Sequence, residues 1–414
     1  MLQYPKSNLI FWEDTTMQSL SERTAGFTDS VIRRMTRISN RYGAVNLSQG
    51  FPDFDPPRAI LDRLAEVSRE DFHQYSITWG AQNLREALAE KQSRYMGLDL
   101  DPNGEITVTC GSTEAMMAAM MTVADPGDRV VVFSPFYENY GADTILCGAE
   151  PIYVPLTPPD FRFDPEILED AFRLRPKALV LCNPSNPCGR VFTREELEAI
   201  AALAEKYDAY VITDEVYEHI VYAPHRHVYF AALPGMRQRT ISCSSLSKTY
   251  SITGWRLGYT IAPPEITDRI KKVHDFLTVG AAAPLQEAVI PGLKFGQDYY
   301  DGLLAEYTRK RDLFLKGLDD LRLIHTTPEG AYYVLLDISE FGYDSDLRFC
   351  EVLAEKVGVG AVPGSSFFRE PVNHLLRFHF AKRDETLLEA LNRLESLREK
   401  IPPKGKGVEC ICGI

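Results

Sequence analysis

Between residues 105 and 250 the chain alternates short, unbroken apolar runs with helical patterns, and no other feature restricts its fold so strongly. "EITVTCG" precedes "STEAMMAAMMTVA", "DRVVVFSP" precedes a short polar segment, and "KALVLCNPSNPCG" precedes "TREELEAIAALAEKY". "AYVITDEVY" and "RTISCSSLSK" follow. Apolar runs without polar alternation belong to strands buried on both faces. Their alternation with helices predicts an α/β fold with a mostly parallel sheet flanked by helices. Thr193 and Glu196 have the spacing of a capping box, and Leu197, Ile200, Ala201 and Ala204 form one apolar stripe behind it. The "NPSNPCG" turn therefore sits between the end of a strand and the start of a helix. Open α/β sheets bind ligands at that edge.

From about residue 300 the rhythm changes. "YDGLLAEYTRKRDLFLKGLDDL" and "DETLLEALNRLESLREKI" are amphipathic helical patterns, with short strands such as "AYYVLLDI" and "HLLRFHFA" between them. A smaller α+β domain is expected there. The N-terminal stretch up to "NLSQGFPDF" has no sheet rhythm and is expected to pack on it. The expected division is 1–54 for that segment, 55–299 for a large ligand-binding α/β domain, and 300–414 for the small domain. A chain of 414 residues is long enough for two cores.

The formal net charge of −13 argues against nucleic acid or an anionic membrane surface as partner. No run reaches the length of a membrane span, and the first residues lack the pattern of a secretory signal, so a cytoplasmic location is expected. The eight cysteines are scattered and read as reduced thiols. Cys410 and Cys412 supply half a zinc site at best, so no metal is expected.

Polar residues gather where the apolar runs end. "VITDEVY" ends in Asp214 and Glu215, with Tyr217 beyond; taken alone the two acids read as a cap or a surface turn. "CNPSNPCG" places Asn183 and Asn186 between prolines, a turn by composition. "CGSTEA" opens a helix with Gly111, Ser112 and Thr113, which is both a cap and an anion cradle. In "SSLSKTYSITGWRLGY", Ser245 and Arg256 bracket a lone lysine, Lys248. An arginine and hydroxyls beside the Gly-Ser-Thr turn suit one phosphate dianion. A lysine near other cations and partly desolvated has a lowered pKa, and its neutral amine attacks aldehydes. Asp214 would hold a ring nitrogen protonated. Together these describe pyridoxal phosphate held as a Schiff base.

The order of these motifs resembles the class I aminotransferases, fold type I of the pyridoxal-phosphate enzymes, from "NLSQGFPDF" to "LLRFHFA". The resemblance implies Lys248 as the lysine that carries the cofactor and acts as general base. It implies Ser112, Thr113, Ser245 and Arg256 at the phosphate, with Gly111 opening that loop. It implies Tyr137 stacked on the ring, Asn186 and Tyr217 at the ring oxygen, and Asp214 at the ring nitrogen. Arg377 would grip the substrate α-carboxylate, with the backbone of Gly50 beside it. Tyr75 would reach the phosphate of a neighbouring subunit, which implies a homodimer with shared active sites. His274 reads as structural.

The substrates implied are an L-amino acid and a 2-oxo acid. A second cation for a side-chain carboxylate is missing where one bacterial branch has a lysine and this chain has Thr113. A pocket of Phe51, Tyr75, Thr113 and Tyr137 would favour aromatic, methionine-like or glutamine-like donors, as in the kynurenine/glutamine and aromatic branch. The alternatives are an aspartate aminotransferase, and a lyase of the β-eliminating or aminocyclopropane carboxylate synthase kind. A ligand-sensing regulator lacks support, because no basic helix-turn-helix segment is present.

Overall fold

The computed structural model describes residues 19–27 and 29–404. The segment searched for a leader and the Cys410/Cys412 pair lie outside the described residues. Thirteen strands form three sheets. β1 (Val45–Asn46) precedes the large sheet. That sheet contains β2 (Ile106–Thr109), β3 (Arg129–Ser134), β4 (Glu150–Thr157), β5 (Arg162–Phe163), β6 (Ala178–Cys182), β7 (Tyr210–Asp214), β8 (Thr240–Ser245) and β9 (Gly258–Ile261). Its order is β2-β9-β8-β7-β6-β3-β4-β5. Every neighbouring pair from β4 to β8 is parallel, whereas β9 runs against β8 and β2, and β5 against β4.

β10 (Tyr333–Asp337), β12 (Val362–Pro363) and β13 (Leu375–His379) form a small antiparallel sheet around the central β13. β11 (Val359–Gly360) pairs in parallel with β1, so the early chain joins the late chain. The sequence expectation of a mostly parallel sheet plus a smaller α+β unit holds.

Five helices matter for the site: α1 (Val31–Tyr42), α2 (Ser112–Val123), α3 (Asn139–Leu146), α4 (Arg194–Tyr207) and α5 (Leu246–Thr249). α4 starts where the capping box places it. Thr193 N–H donates to Glu196 at 2.9 Å and Glu196 N–H to the Thr193 hydroxyl at 3.3 Å. Its stripe of Leu197, Ile200, Ala201 and Ala204 is buried. β6 and β7 are covered on both faces, which is why their sequences carry apolar runs rather than alternation.

Among the described residues no helix is long and apolar enough to cross a membrane, and no group of His, Cys, Asp and Glu has metal-binding geometry.

Candidate active site

The carboxyl ends of β2, β3, β6, β7 and β8 lie along one sheet edge. The antiparallel β9 begins at that same edge, with Gly258 opposite both Ser245 and Thr109. Arg256, two residues before β9 in sequence, is thereby returned to the strand ends that carry Gly111, Asn186, Asp214 and Lys248. Asn186, Asp214, Lys248 and Arg256 line a cleft of about 430 Å³.

At one end of the cleft, Gly111 is the N-cap of α2, with φ of 85°. An added Cβ would meet Arg256 Nη2 at 2.3 Å, so only glycine lets the guanidinium lie against this helix start. Ser112 and Thr113 follow in the first turn and line the cleft. Glu114 anchors the turn by accepting from Cys110 N–H at 2.6 Å, and is itself bonded to His274 Nδ1 at 2.6 Å. His274 is fully buried and does not line the cleft. A helix N-terminus beside an arginine without an ion pair among the described residues suits a phosphate.

Ser245 lines the cleft, yet its hydroxyl donates to Leu257 O at 3.1 Å and accepts from Ser247 N–H at 3.0 Å. It caps α5. The neighbouring Ser247 hydroxyl is buried and has no partner among the described residues. Sequence reasoning missed Ser247; its signal was a second hydroxyl directly before Lys248.

In the middle of the cleft Lys248 Nζ donates to Gly50 O at 3.3 Å and lies over the rings of Tyr217 and Tyr332. Burial, helped by the charges of Arg256 and Arg377, lowers its pKa to about 8, against the pull of Asp214. Asp214 and Glu215 are buried, which overturns the surface-turn reading of that pair taken alone. Asp214 accepts from the Tyr140 hydroxyl on α3 at 2.7 Å and from Val216 N–H at 3.3 Å, with no cation paired to it among the described residues. Burial raises its pKa. Tyr137 lines the cleft and meets Tyr140 edge to face. Tyr217 shares a 2.8 Å hydrogen bond with the hydroxyl of Tyr333, a residue the sequence reading did not single out.

Arg377 lies on β13, only 1% exposed. Its Nη1 donates to Asn186 Oδ1 at 2.7 Å and its Nη2 to Ser48 O at 2.9 Å, while its plane covers Tyr333 and Phe367. Nε has no partner, and no carboxylate pairs with this guanidinium among the described residues. Gly50 lies beside it, and an added Cβ there would meet the Tyr333 hydroxyl at 2.3 Å.

Phe51, Thr113 and Tyr137 line the cleft as expected, but Tyr75 does not: it is 87% exposed. The N-cap Ser30 of α1 and, within α1, Ile32 and Arg33 line it instead, which nothing in the sequence signalled.

The donor set fits pyridoxal phosphate. A buried carboxylate without a counter-ion suits a protonated ring nitrogen, and a helix start with Arg256 and the orphaned Ser247 hydroxyl suits the phosphate. The model for aminotransferase class I and II matches residues 42–394.

The chain is a class I and II aminotransferase.

As such it is a pyridoxal-phosphate-dependent enzyme of fold type I that acts on amino acid and 2-oxo acid pairs. The methionine aminotransferase of Escherichia coli (strain K12) is 37% identical over 369 residues, 89% of this aminotransferase and 96% of that protein. Human kynurenine–oxoglutarate transaminase 1 is 33% identical over 398 residues, covering 88% and 94%. A solved structure of the Thermus thermophilus aspartate aminotransferase with maleate superimposes with a TM-score of 0.85 at 33% identity, over 92% of this chain and 100% of that one.

Proposed function

We propose that this aminotransferase moves an amino group from an uncharged L-amino acid, aromatic, methionine-like or glutamine-like, to a 2-oxo acid, with Lys248 as the cofactor-bearing lysine. The observation that carries the reading is the convergence of Lys248, Asp214, Arg256 and Arg377 on one cleft. Phe51 and Tyr137 in its wall support the aromatic and thioether preference.

When bound, pyridoxal phosphate supplies an aldehyde and an electron-accepting ring. Arg256, Ser112, Thr113 and Ser247 would hold the phosphate, with Ser245 capping the short helix that carries Ser247. Asp214, oriented by Tyr140, keeps a proton on the ring nitrogen. Asn186 and Tyr217 would serve the ring oxygen. Arg377 binds the substrate α-carboxylate as a fork, which fixes the Cα–H bond relative to Lys248. Lys248 Nζ, with its pKa near 8, would take the proton from the substrate Cα as general base and then serve as the acid that gives it back.

Tyr75 and the apolar Ile77, Phe276, Leu277 and Val279 are exposed. Thr78, whose carbonyl accepts from His274, ties the Tyr75 loop to the helix that carries Phe276. We read this face as the contact with a second copy, to which Tyr75 is delivered.

The test is a half-reaction screen. The loaded enzyme is mixed with single amino acids, and its absorbance and any ammonia are followed. Conversion to the amino form by methionine or phenylalanine without ammonia is expected. Release of ammonia with a 2-oxo acid would instead establish a lyase.

A further inference from the structure

We infer that Tyr333 is a positioning residue for Tyr217. Its hydroxyl donates to the Tyr217 hydroxyl, which leaves the single proton of Tyr217 for the ring oxygen of bound pyridoxal phosphate and makes Tyr217 the stronger donor. The inference rests on the aminotransferase reading above and places a second residue behind one assigned there to the ring oxygen.

Tyr333 opens β10 in the small sheet, and Tyr217 follows β7 of the large one. Both phenols are buried and both line the cleft. Their rings meet edge to face at 5.8 Å, with the hydroxyls 2.8 Å apart. The Tyr333 hydroxyl has room there because residue 50 is a glycine, whose Cβ would lie 2.3 Å from it.

Buried tyrosines commonly pair to satisfy their hydroxyls. In this pair the direction of the bond matters. Each hydroxyl carries one proton, so the two together spend one and keep one. Neither makes a second hydrogen bond among the described residues, and the third phenol nearby, Tyr332, donates to Gly50 O at 2.9 Å. If Tyr217 donated to Tyr333, it would have no proton left for a ring oxygen. If Tyr333 donates, the proton of Tyr217 is the free one.

The surroundings favour Tyr333 as the donor. Arg377 Cζ lies 4.3 Å from the centre of its ring, whereas Lys248 Nζ lies 5.9 Å from that of Tyr217. A close cation makes a phenol more acidic. Burial raises the pKa of both phenols, and that of Tyr217 further, because Arg377 opposes the rise at Tyr333. The more acidic phenol donates, so the bonds run from Tyr333 to Tyr217 and on into the cleft. A hydroxyl that accepts one hydrogen bond donates the next more strongly.

The test is a pH titration of the absorbance of the loaded enzyme without substrate. A donor to the ring oxygen favours loss of the proton held between Lys248 Nζ and the cofactor, so weakening that donor moves the transition to higher pH. Tyr333→Phe should raise it by about 0.2–0.6 pH units, the share that one cooperative neighbour adds to a charge-assisted hydrogen bond. Tyr217→Phe should raise it further, and Tyr333→Phe added to Tyr217→Phe should cause no additional shift. Binding of 3-phenylpropionate, a carboxylate with no amine to react, should be the same in Tyr333→Phe and the parent. An unmoved transition in Tyr333→Phe, with or without a lower melting temperature, would overturn the inference. So would an equal shift on the Tyr217→Phe background, or a loss confined to 3-phenylpropionate, which would make Tyr333 a donor to the substrate carboxylate instead. A parent that takes up no pyridoxal phosphate on Lys248 would overturn the aminotransferase reading itself, before any variant is compared.

Discussion

Arg377 and Asn186 are joined by a 2.7 Å hydrogen bond from Nη1 to Oδ1, across the junction between the small antiparallel sheet and the carboxyl edge of the large one. In the proposed mechanism this bond holds the guanidinium that would grip the substrate against the side chain that would serve the cofactor ring. It also leaves Arg377 buried without a counter-ion among the described residues, a charge that an incoming carboxylate neutralises.

Replacing Arg377 by leucine should therefore separate binding from folding. Removing a buried charge that lacks a counter-ion offsets part of the cost of leaving Asn186 Oδ1 and Ser48 O without their donor, so the loss of stability should stay within about 1–3 kcal/mol. Losing the carboxylate fork should lower kcat/KM by about 100-fold or more. Thermal melting and steady-state kinetics on the same preparation check both halves.

The lowered pKa of Lys248 sets a pH dependence for cofactor attachment. The neutral amine reacts, and it predominates above about pH 8 rather than above the ordinary lysine range. The rate at which cofactor-free protein takes up pyridoxal phosphate should rise with pH and level off just above that value. Borohydride reduction followed by peptide mapping should place the label on Lys248. A label retained by Lys248→Ala would refute the assignment.

Gly50 and Tyr333 should be coupled. Gly50→Ala puts a methyl group into the space of the Tyr333 hydroxyl, with an expected destabilisation of about 1–3 kcal/mol. Tyr333→Phe should recover part of that loss, because it removes the nearest atom in conflict while the ring carbon at 2.9 Å remains. The measurement is a double-mutant cycle by chemical denaturation.

Asp143 on α3 predicts a stability slope. Its side chain is buried, Oδ2 has no partner among the described residues, and burial raises its pKa to about 7. The folded state then holds a proton that the unfolded chain releases above about pH 4, so this group's contribution falls as pH rises from 4 to 7. Asp143→Asn should flatten the decline and be the more stable protein at pH 8, by on the order of 2–3 kcal/mol. Equal unfolding free energies for parent and variant at pH 8 would refute this.

Much of the large sheet and its binding edge could be read from the chain directly. A short apolar run such as "KALVLC", closed by the Asn and Pro of a turn, reads as a strand covered on both faces, and the capping box at Thr193 marks where the next helix begins. The polar residues at strand ends are local to those elements, so Gly111, Asn186, Asp214 and Lys248 were legible as a set. Their burial was not. Asp214 taken alone passed for a surface turn, because the helix that brings Tyr140 to it lies 74 positions away. Arg33 and Tyr333 carried no local pattern that separated them from ordinary helix and strand residues, and the hydroxyl of Ser247 before Lys248 was the one signal left unread.

The sequence by itself determined the order of strands and helices and the chemistry offered at each strand end, because periodicity and capping are properties of neighbouring residues. Only the tertiary structure decided which charges meet in the cleft and which of them are left without partners. Arg377 reaches Ser48 across 329 positions, and Arg33 enters the wall through the packing of α1. Desolvation and unpaired charge arise from three-dimensional neighbours, and those neighbours are assembled by burial of the hydrophobic cores rather than by any local preference of the chain.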